Sequence, residues 1–89
     1  MNSIHKYPVE VGDEIAVSMP IGATILHLDM QLGVPCIWAL VDTSVPLVIR
    51  RFRWRGTGHD CEGIAAEDHV GTIMMHSGRL VFHLFQVKP

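Results

Sequence analysis

The segment from residue 47 to residue 55 reads Leu47-Val48-Ile49-Arg50-Arg51-Phe52-Arg53-Trp54-Arg55. In an extended chain, successive side chains point to opposite faces, with a period of two. One face then carries Val48, Arg50, Phe52 and Trp54, and the other carries Leu47, Ile49, Arg51, Arg53 and Arg55. A helix would instead place apolar residues three and four positions apart. The segment therefore predicts a β-strand that is apolar on one face and cationic on the other, with Arg50 on the apolar side.

Short apolar segments of the same kind recur on both sides of this strand, separated by Gly- and Pro-rich turns. They predict further strands over residues 5–11, 14–19, 24–32, 36–41, 70–75 and 80–87. Pro8 favours an edge position for the first strand, because proline has no N–H to donate to a sheet. His76-Ser77-Gly78-Arg79 predicts a tight hairpin between the last two strands. In the third, Leu26, Leu28, Met30 and Leu32 are expected on one face.

This pattern predicts an all-β fold, a small antiparallel sandwich or barrel of about seven short strands. At most one helical turn is expected, over residues 64–67, and residues 1–89 are expected to form a single β domain. Three of the strands, 36–41, 70–75 and 80–85, are apolar on both faces. Because one face of a small antiparallel sheet usually meets water, we expect a second copy of the chain to cover the outward residues. The chain is therefore predicted to form a homo-oligomer.

Composition narrows the range of partners and compartments. Charged residues make up 18% of the chain, below the about 25% of an average soluble protein, and the formal net charge is −2. A net negative chain argues against nucleic acid as a partner. No apolar run reaches the ~18 residues of a membrane span, and the N-terminal residues lack the apolar core of a signal peptide. We therefore expect a cytoplasmic protein with no membrane partner, whose Cys36 and Cys61 are reduced thiols.

The arginine-rich strand and the turn after it form the predicted ligand site. Guanidinium groups can each donate two parallel hydrogen bonds to a phosphate or carboxylate, and glycines let a ligand approach the backbone. Aromatic rings nearby could stack on a base. The alternative is a solvated strand face paired with the acidic loop that follows it. The predicted ligand-binding residues are Arg50, Arg51, Arg53, Arg55, Gly56, Thr57, Gly58, His59, Trp54 and Trp38.

Other chemistries have weaker support in the sequence. His59 lies beside Asp60, Cys61 and Glu62, but the paired ligand spacing of a structural zinc site is absent, so no metal and no cofactor are predicted. Neither cysteine has the electropositive surroundings that activate a thiol. His83 lies between apolar neighbours and is interpreted as a hydrogen-bonded core or interface residue. The sequence therefore gives no specific support for catalysis and leaves an enzyme as the weakest of the alternatives.

Four blocks of the sequence resemble a known family. They are Lys6-Tyr7-Pro8, the segment 33–42, Gly56-Thr57-Gly58-His59 and the segment 80–85. In order and spacing they are similar to a family of uncharacterised small proteins of tailed phages and prophages, over nearly the whole chain. The resemblance implies no activity. It implies a setting, the cytoplasm of a bacterial host, in which such proteins often inhibit host defence or sequester its nucleotide signals.

Three functional hypotheses follow, of which the third has the least support. The first is an oligomeric binding module that holds a small anionic ligand, such as a nucleotide, without turnover. The alternative is an inhibitor or assembly factor that binds a host or phage protein, because arginine and tryptophan are also enriched at protein–protein hot spots. The third is a nucleotide-cleaving enzyme that uses His59 or His83.

Overall fold

The computed structural model describes residues 1–88, and it confirms the all-β class. The seven strands are β1 Asn2–Pro8, β2 Glu14–Pro20, β3 Thr24–Gln31, β4 Val34–Asp42, β5 Leu47–Gly56, β6 His69–Met75 and β7 Leu80–Gln86. The only helical element in this range is a single 3-10 turn over Ala66–Asp68. No helix formed by residues 1–88 is long and apolar enough to cross a membrane.

The strands form two antiparallel sheets that enclose one core. The first sheet has three strands in the order β1-β4-β3, and the second has four in the order β2-β5-β7-β6. Met19, Phe52 and Leu84 of the four-stranded sheet and Ile37 and Val41 of the three-stranded sheet are almost completely buried between them. Burying such a side chain contributes roughly 1.5–3 kcal/mol, so the apolar faces drive the two layers together.

Strand β5 shows the predicted alternation. Phe52 and Trp54 are buried, whereas Arg51 and Arg53 point to the outer face of the four-stranded sheet, where both approach Glu14 of β2. The Trp54 indole N–H donates to the Glu10 carbonyl at 2.9 Å, which satisfies the one polar atom of this core side chain. The sequence pattern therefore placed the two faces of β5 correctly.

The predicted limits of β1 were wrong, although its edge position was right. The strand begins at Asn2 and ends at Pro8 instead of spanning residues 5–11. Its register against β4 runs from Asn2 opposite Asp42 to Pro8 opposite Cys36, and β1 lies at an edge of the three-stranded sheet. The strand starts earlier than predicted because pairing with β4, and not apolar content, sets its beginning.

The beginning of β1 is held to the end of β4 by hydrogen bonds. The Thr43 N–H donates to the Met1 carbonyl at 2.9 Å. The Asp42 carboxylate accepts from the Ser44 hydroxyl at 2.6 Å, from the Ser44 N–H at 2.9 Å and from the N-terminal ammonium at 3.3 Å. These donors, the Ser44 hydroxyl above all, lower the pKa of Asp42 to about 2.

The predicted facing of β3 was wrong at both ends of the strand. A β-bulge interrupts the pairing with β4 between Ile25 and His27, so Ile25 packs against the core and Leu26 is 49% exposed. Leu28 is buried and Met30 half-buried, as expected. Leu32 lies beyond the strand, in the β3–β4 turn. The extra residue of a bulge shifts the alternation of the preceding residues by one, which the apolar pattern alone does not reveal.

Candidate functional site

A cleft of about 690 Å³ lies where β5 begins and β7 ends. One side is formed by the β2–β3 turn and the first residues of β5, and the other by the 3-10 turn and the chain that follows β7. Its apolar walls are Ile21, Val48, Ile49 and Val87, and its charged groups are Arg50, Arg51, Lys88, Glu67 and Asp68. We refer to it as the Arg50 cleft. Its volume falls within the roughly 300–1,000 Å³ typical of small-molecule sites.

Arg50 is held rigidly at this cleft. The alternation of β5 places it on the core side of the sheet, so its side chain is half-buried. One terminal nitrogen donates to the Ala23 carbonyl at 2.9 Å, and the other donates to the Gln86 side-chain oxygen at 2.6 Å. A guanidinium carries five N–H donors, more than these two bonds use. The group is therefore oriented in advance and retains donors for a further partner.

No carboxylate among residues 1–88 pairs with Arg50. The other cations nearby are paired: Arg51 and Arg53 approach Glu14 at 3.7 and 3.5 Å, and Lys88 lies 3.1 Å from Asp68. The hydrogen bond and negative charge of Asp68, and to a lesser extent the charge of Glu67, raise the pKa of the Lys88 ammonium. Buried charges in proteins are usually paired, because the cost of removing them from water has to be offset. Arg50 is thus a half-buried cation that still has room for an anion.

Charge in the Arg50 cleft is positive. Arg50, Arg51 and Lys88 contribute three positive charges, and Glu67 and Asp68 contribute two negative ones, which leaves one positive charge. A smaller cleft of about 260 Å³, lined by Arg53, adjoins it and shares four residues with it: Asp68, Gln86, Val87 and Lys88. A third cleft of about 560 Å³ lies between β1 and β2, but Glu10 is the charged residue that lines it, so it does not suit an anion.

The predicted convergence of the whole arginine row with the glycine turn was wrong. Arg50, Arg51 and Arg53 line the two adjoining clefts, but Arg55 lies further along β5, opposite His83 of β7. One of its terminal nitrogens donates to the Trp54 carbonyl at 2.7 Å. Alternation predicts which side of a strand each arginine faces. It does not predict how the surrounding loops divide that side into separate clefts.

His59 and Gly56 form hydrogen bonds to each other within the turn that follows β5. The Gly56 N–H donates to His59 Nδ1 at 3.2 Å, and the His59 N–H donates to the Gly56 carbonyl at 3.0 Å. The imidazole lies directly on Gly56, since a Cβ there would come within 2.7 Å of the ring. Gly58 has the positive φ that the sequence indicated, 87°. The turn is therefore closed by its own histidine, and the prediction that Gly56 and His59 face a ligand is not supported.

The two tryptophans do not serve as a stacking platform for this site. Trp54 is only 2% exposed, because it faces the core from the inner side of β5. Trp38 is half-buried on the outer face of the three-stranded sheet, where its ring centroid lies 6.1 Å from that of His27. Trp54 is therefore not accessible for stacking, and Trp38 lies on the other sheet from the arginines, so its predicted stacking on a ligand at a subunit interface stays a prediction.

The sequence reading missed a cluster on the outer face of the four-stranded sheet. Four side chains form one continuous chain of hydrogen bonds, which we call the histidine relay. Thr57 Oγ1 lies 2.8 Å from His83 Nε2, His83 Nδ1 lies 2.9 Å from Thr72 Oγ1, and Thr72 Oγ1 lies 3.1 Å from His69 Nε2. Thr57 was among the predicted ligand residues and His83 was noted, but His69 and Thr72 are separated from both in sequence. In residues 1–88 no three His, Cys, Asp or Glu side chains are grouped to hold a metal ion.

The fold and clefts define a small antiparallel β-sandwich with a cationic cleft at one end. The chain belongs to the family described as "Domain of unknown function (DUF7352)", whose family model matches residues 1–89. No curated protein and no solved structure matches the chain. The family description names no activity and no source, so the resemblance to phage proteins stays a prediction.

Proposed function

We propose that this protein is a binding module that holds a small anionic ligand in the Arg50 cleft without chemical turnover. The observation that carries the proposal is the half-buried Arg50 guanidinium, fixed by Ala23 and Gln86 and paired with no carboxylate in the described chain. An anion in the cleft would compensate this charge, and the oriented guanidinium would bind it without first losing side-chain freedom.

The walls of the cleft indicate an amphipathic ligand. A phosphate or carboxylate would accept hydrogen bonds from Arg50 and Arg51, in the paired geometry that guanidinium groups favour. The body of the ligand would lie against Ile21, Val48 and Val87. Arg51 is exposed and its contact with Glu14 is long, so this ion pair is worth at most about 1 kcal/mol and gives way easily. A nucleotide has both the charge and the apolar face that the cleft requires.

The setting of the proposal comes from the sequence. The resemblance to small phage proteins suggests the cytoplasm of a bacterial host, where such a module would sequester a nucleotide signal of host defence. Self-association is part of the same proposal, because several large apolar side chains remain exposed on the single chain.

The test is differential scanning fluorimetry against nucleoside mono-, di- and triphosphates and cyclic nucleotides. A ligand at 100 times its Kd stabilises the folded state by about 2.7 kcal/mol, which raises the Tm of a domain of this size by roughly 10 °C or more. We expect such a shift with one ligand class and its loss in Arg50→Lys, which keeps the charge but not the fork of donors. Arg79→Lys, in the exposed β6–β7 turn, is the matched control and should keep the shift.

A second candidate function is binding of a protein partner. Leu47 and Ile49 are 66% and 58% exposed at the beginning of β5, beside the arginines. Arginine is enriched at protein-binding hot spots, and an exposed apolar patch rimmed by polar residues marks an interaction surface. If no nucleotide shifts the Tm, and mass spectrometry of the denatured protein releases no small molecule, the ligand proposal is rejected in favour of this candidate.

A further inference from the structure

The four edge strands of the two sheets differ in how well they are protected. A sheet edge exposes unpaired N–H and C=O groups, and proteins usually block it with proline, lysine, a bulge or a covering element. Strand β1 carries Lys6 and Pro8. Strands β3 and β6 each carry a bulge, and they approach each other closely at Leu28 and Gly71. The remaining edge strand is β2.

Strand β2 has none of these protections along its middle. Its pairing with β5 is regular from Glu14 to Pro20, and residues 15–19 contain no proline and no charge. The Glu14 carboxylate lies toward the arginines of β5 and not over the free edge. Ala16 and Ser18 are too small to shield the backbone beside them. A regular and unshielded edge of this kind is open to pairing with another strand.

The backbone groups available at this edge follow from the pairing with β5. The Trp54 N–H donates to the carbonyl of Asp13 at 3.0 Å, so this opposite pair of residues is hydrogen-bonded. Opposite pairs alternate between hydrogen-bonded and non-hydrogen-bonded along an antiparallel ladder. The N–H and C=O groups of Glu14, Ala16 and Ser18 therefore point away from β5, toward the free edge.

The cleft of about 560 Å³ between β1 and β2 lies beside this edge. Tyr7 of β1 and Ile15 and Val17 of β2 pack against the core but are only half-buried. They stay half-buried because no strand of residues 1–88 lies between β1 and β2, whereas β3 and β6 close the opposite side of the sandwich. A strand added to β2 would point every second side chain into this cleft.

Glu10 gives the cleft its charge, since it is the charged residue of the lining. Its backbone is fixed, because its carbonyl accepts the Trp54 indole N–H at 2.9 Å. Its carboxylate forms no ion pair within the described part of the chain. A lysine or arginine of an added strand would complement this carboxylate.

We infer that β2 binds an extended segment of a partner protein by strand addition. The segment runs antiparallel to β2, pairs its backbone with the free groups of the edge, and places alternate apolar side chains in the cleft. A lysine or arginine near its carboxyl end meets Glu10. Backbone hydrogen bonds give such a complex its affinity, and the pockets for alternate side chains give it specificity. A second copy of β2 does not supply this cation, because Glu14–Pro20 contains no Lys or Arg.

The test is fluorescence anisotropy of the full chain with a panel of labelled synthetic peptides. In each peptide, threonine alternates with Val, Ile, Leu or Phe, and two lysines follow at the carboxyl end. With the apolar side chains in the cleft, the threonine N–H groups face β2 and the N–H groups of the apolar residues point away. We expect binding by at least one peptide. N-methylation of its threonines should weaken binding by about tenfold or more, because the carbonyls of the edge lose their donors.

The matched control is the same peptide N-methylated at its apolar residues, which should bind like the unmodified peptide. On the protein, Ala16→Pro removes an N–H that the pairing with β5 does not use, so it should abolish peptide binding with little change in Tm. Glu10→Gln should raise the Kd about 2–5-fold, and Glu62→Gln, in the exposed loop after β5, should leave the Kd unchanged.

Three outcomes would overturn this inference. The first is that no peptide of the panel changes the anisotropy, and the second is that the threonine-methylated peptide binds as tightly as its parent. The third is that Ala16→Pro dissociates an oligomer of the unmodified chain that binds no peptide, which would assign the edge to a second copy. The result is independent of the proposed function, because Arg50→Lys should keep peptide binding and Ala16→Pro should keep the Tm shift with the anionic ligand.

Discussion

Leu32 lies at the tip of the β3–β4 hairpin in a backbone conformation that suits few side chains. Its φ is 50°, the φ of the following Gly33 is 80°, and its side chain is fully exposed. Two positive φ values in a two-residue hairpin loop are the geometry of a type I′ turn, which favours Asn-Gly. A leucine there has an unfavourable backbone conformation, which costs roughly 1–2 kcal/mol, and gains no burial in return.

Leu32→Asn should therefore stabilise the protein. We expect the free energy of unfolding to rise by about 1 kcal/mol and the Tm by roughly 4–8 °C, measured by thermal and urea unfolding. Leu47→Asn is the matched control: this leucine is also exposed but lies in an extended strand, so its replacement relieves no strain and should not raise the Tm. A Tm that falls in Leu32→Asn would show that the exposed leucine itself is stabilising.

Arg50 shows what the sequence could and could not predict for a single residue. Its place on the apolar side of β5 follows from alternation. The two oxygens that accept its hydrogen bonds belong to Ala23 and Gln86, which are 27 and 36 positions away in the sequence. No local pattern reveals such partners. His59 is a different case, because its partner Gly56 is only three residues away, but both residues were interpreted as ligand contacts.

At the scale of elements, β6 lies close to β3 of the other sheet at Gly71. A Cβ built on Gly71 would lie 3.0 Å from the Cβ of Leu28, which is buried. The near atom is at the base of the leucine side chain, so it cannot move aside without a shift of the backbone. Gly71 is thus needed for the approach of these two strands.

Gly71→Ala should destabilise the protein by about 1–3 kcal/mol through overpacking, as a lower midpoint in urea unfolding. Gly12→Ala is the matched control, since Gly12 has no positive φ and a Cβ there would meet nothing within 4 Å. Equal midpoints for the two variants would show that the sheets can separate at β6 without loss.

The elements were predictable from the sequence to the extent that their alternation is regular. The number of strands and the facing of β5 followed from it, and the β6–β7 hairpin followed from the turn residues 76–79. The bulges at Leu26 and Val70 could not be predicted from alternation, because both residues are apolar and continue the apolar pattern of their strands. Gly71 was the one local signal for the second bulge, since a glycine inside a strand often marks a bulge or a close backbone approach. That bulge forms the histidine relay, which is why the relay was missed.

The whole molecule has one core and two outer sheet faces, which differ in chemistry. The outer face of the four-stranded sheet carries Arg51, Arg53, Arg55 and the histidine relay. On the three-stranded sheet, Ile4 of β1 lies directly opposite Leu40 of β4, and these side chains are 60% and 40% exposed. Leu26, at the β3 bulge, is 49% exposed. A chain with only 18% charged residues has few groups with which to keep this apolar face in water.

Self-association through the three-stranded sheet is the expected consequence. A second copy supplies the same apolar surface by two-fold symmetry, so one mutation changes the interface twice. Leu40→Lys should weaken association by about 1.4 kcal/mol or more, a tenfold rise in the dimer Kd, measured by sedimentation equilibrium. Met74→Lys, 63% exposed on β6 of the other sheet, is the matched control and should associate like the unmodified chain. If Met74→Lys dissociates the protein while Leu40→Lys does not, the four-stranded sheet is the interface. The outer face that carries Arg51, Arg53 and the histidine relay would then be covered in the oligomer.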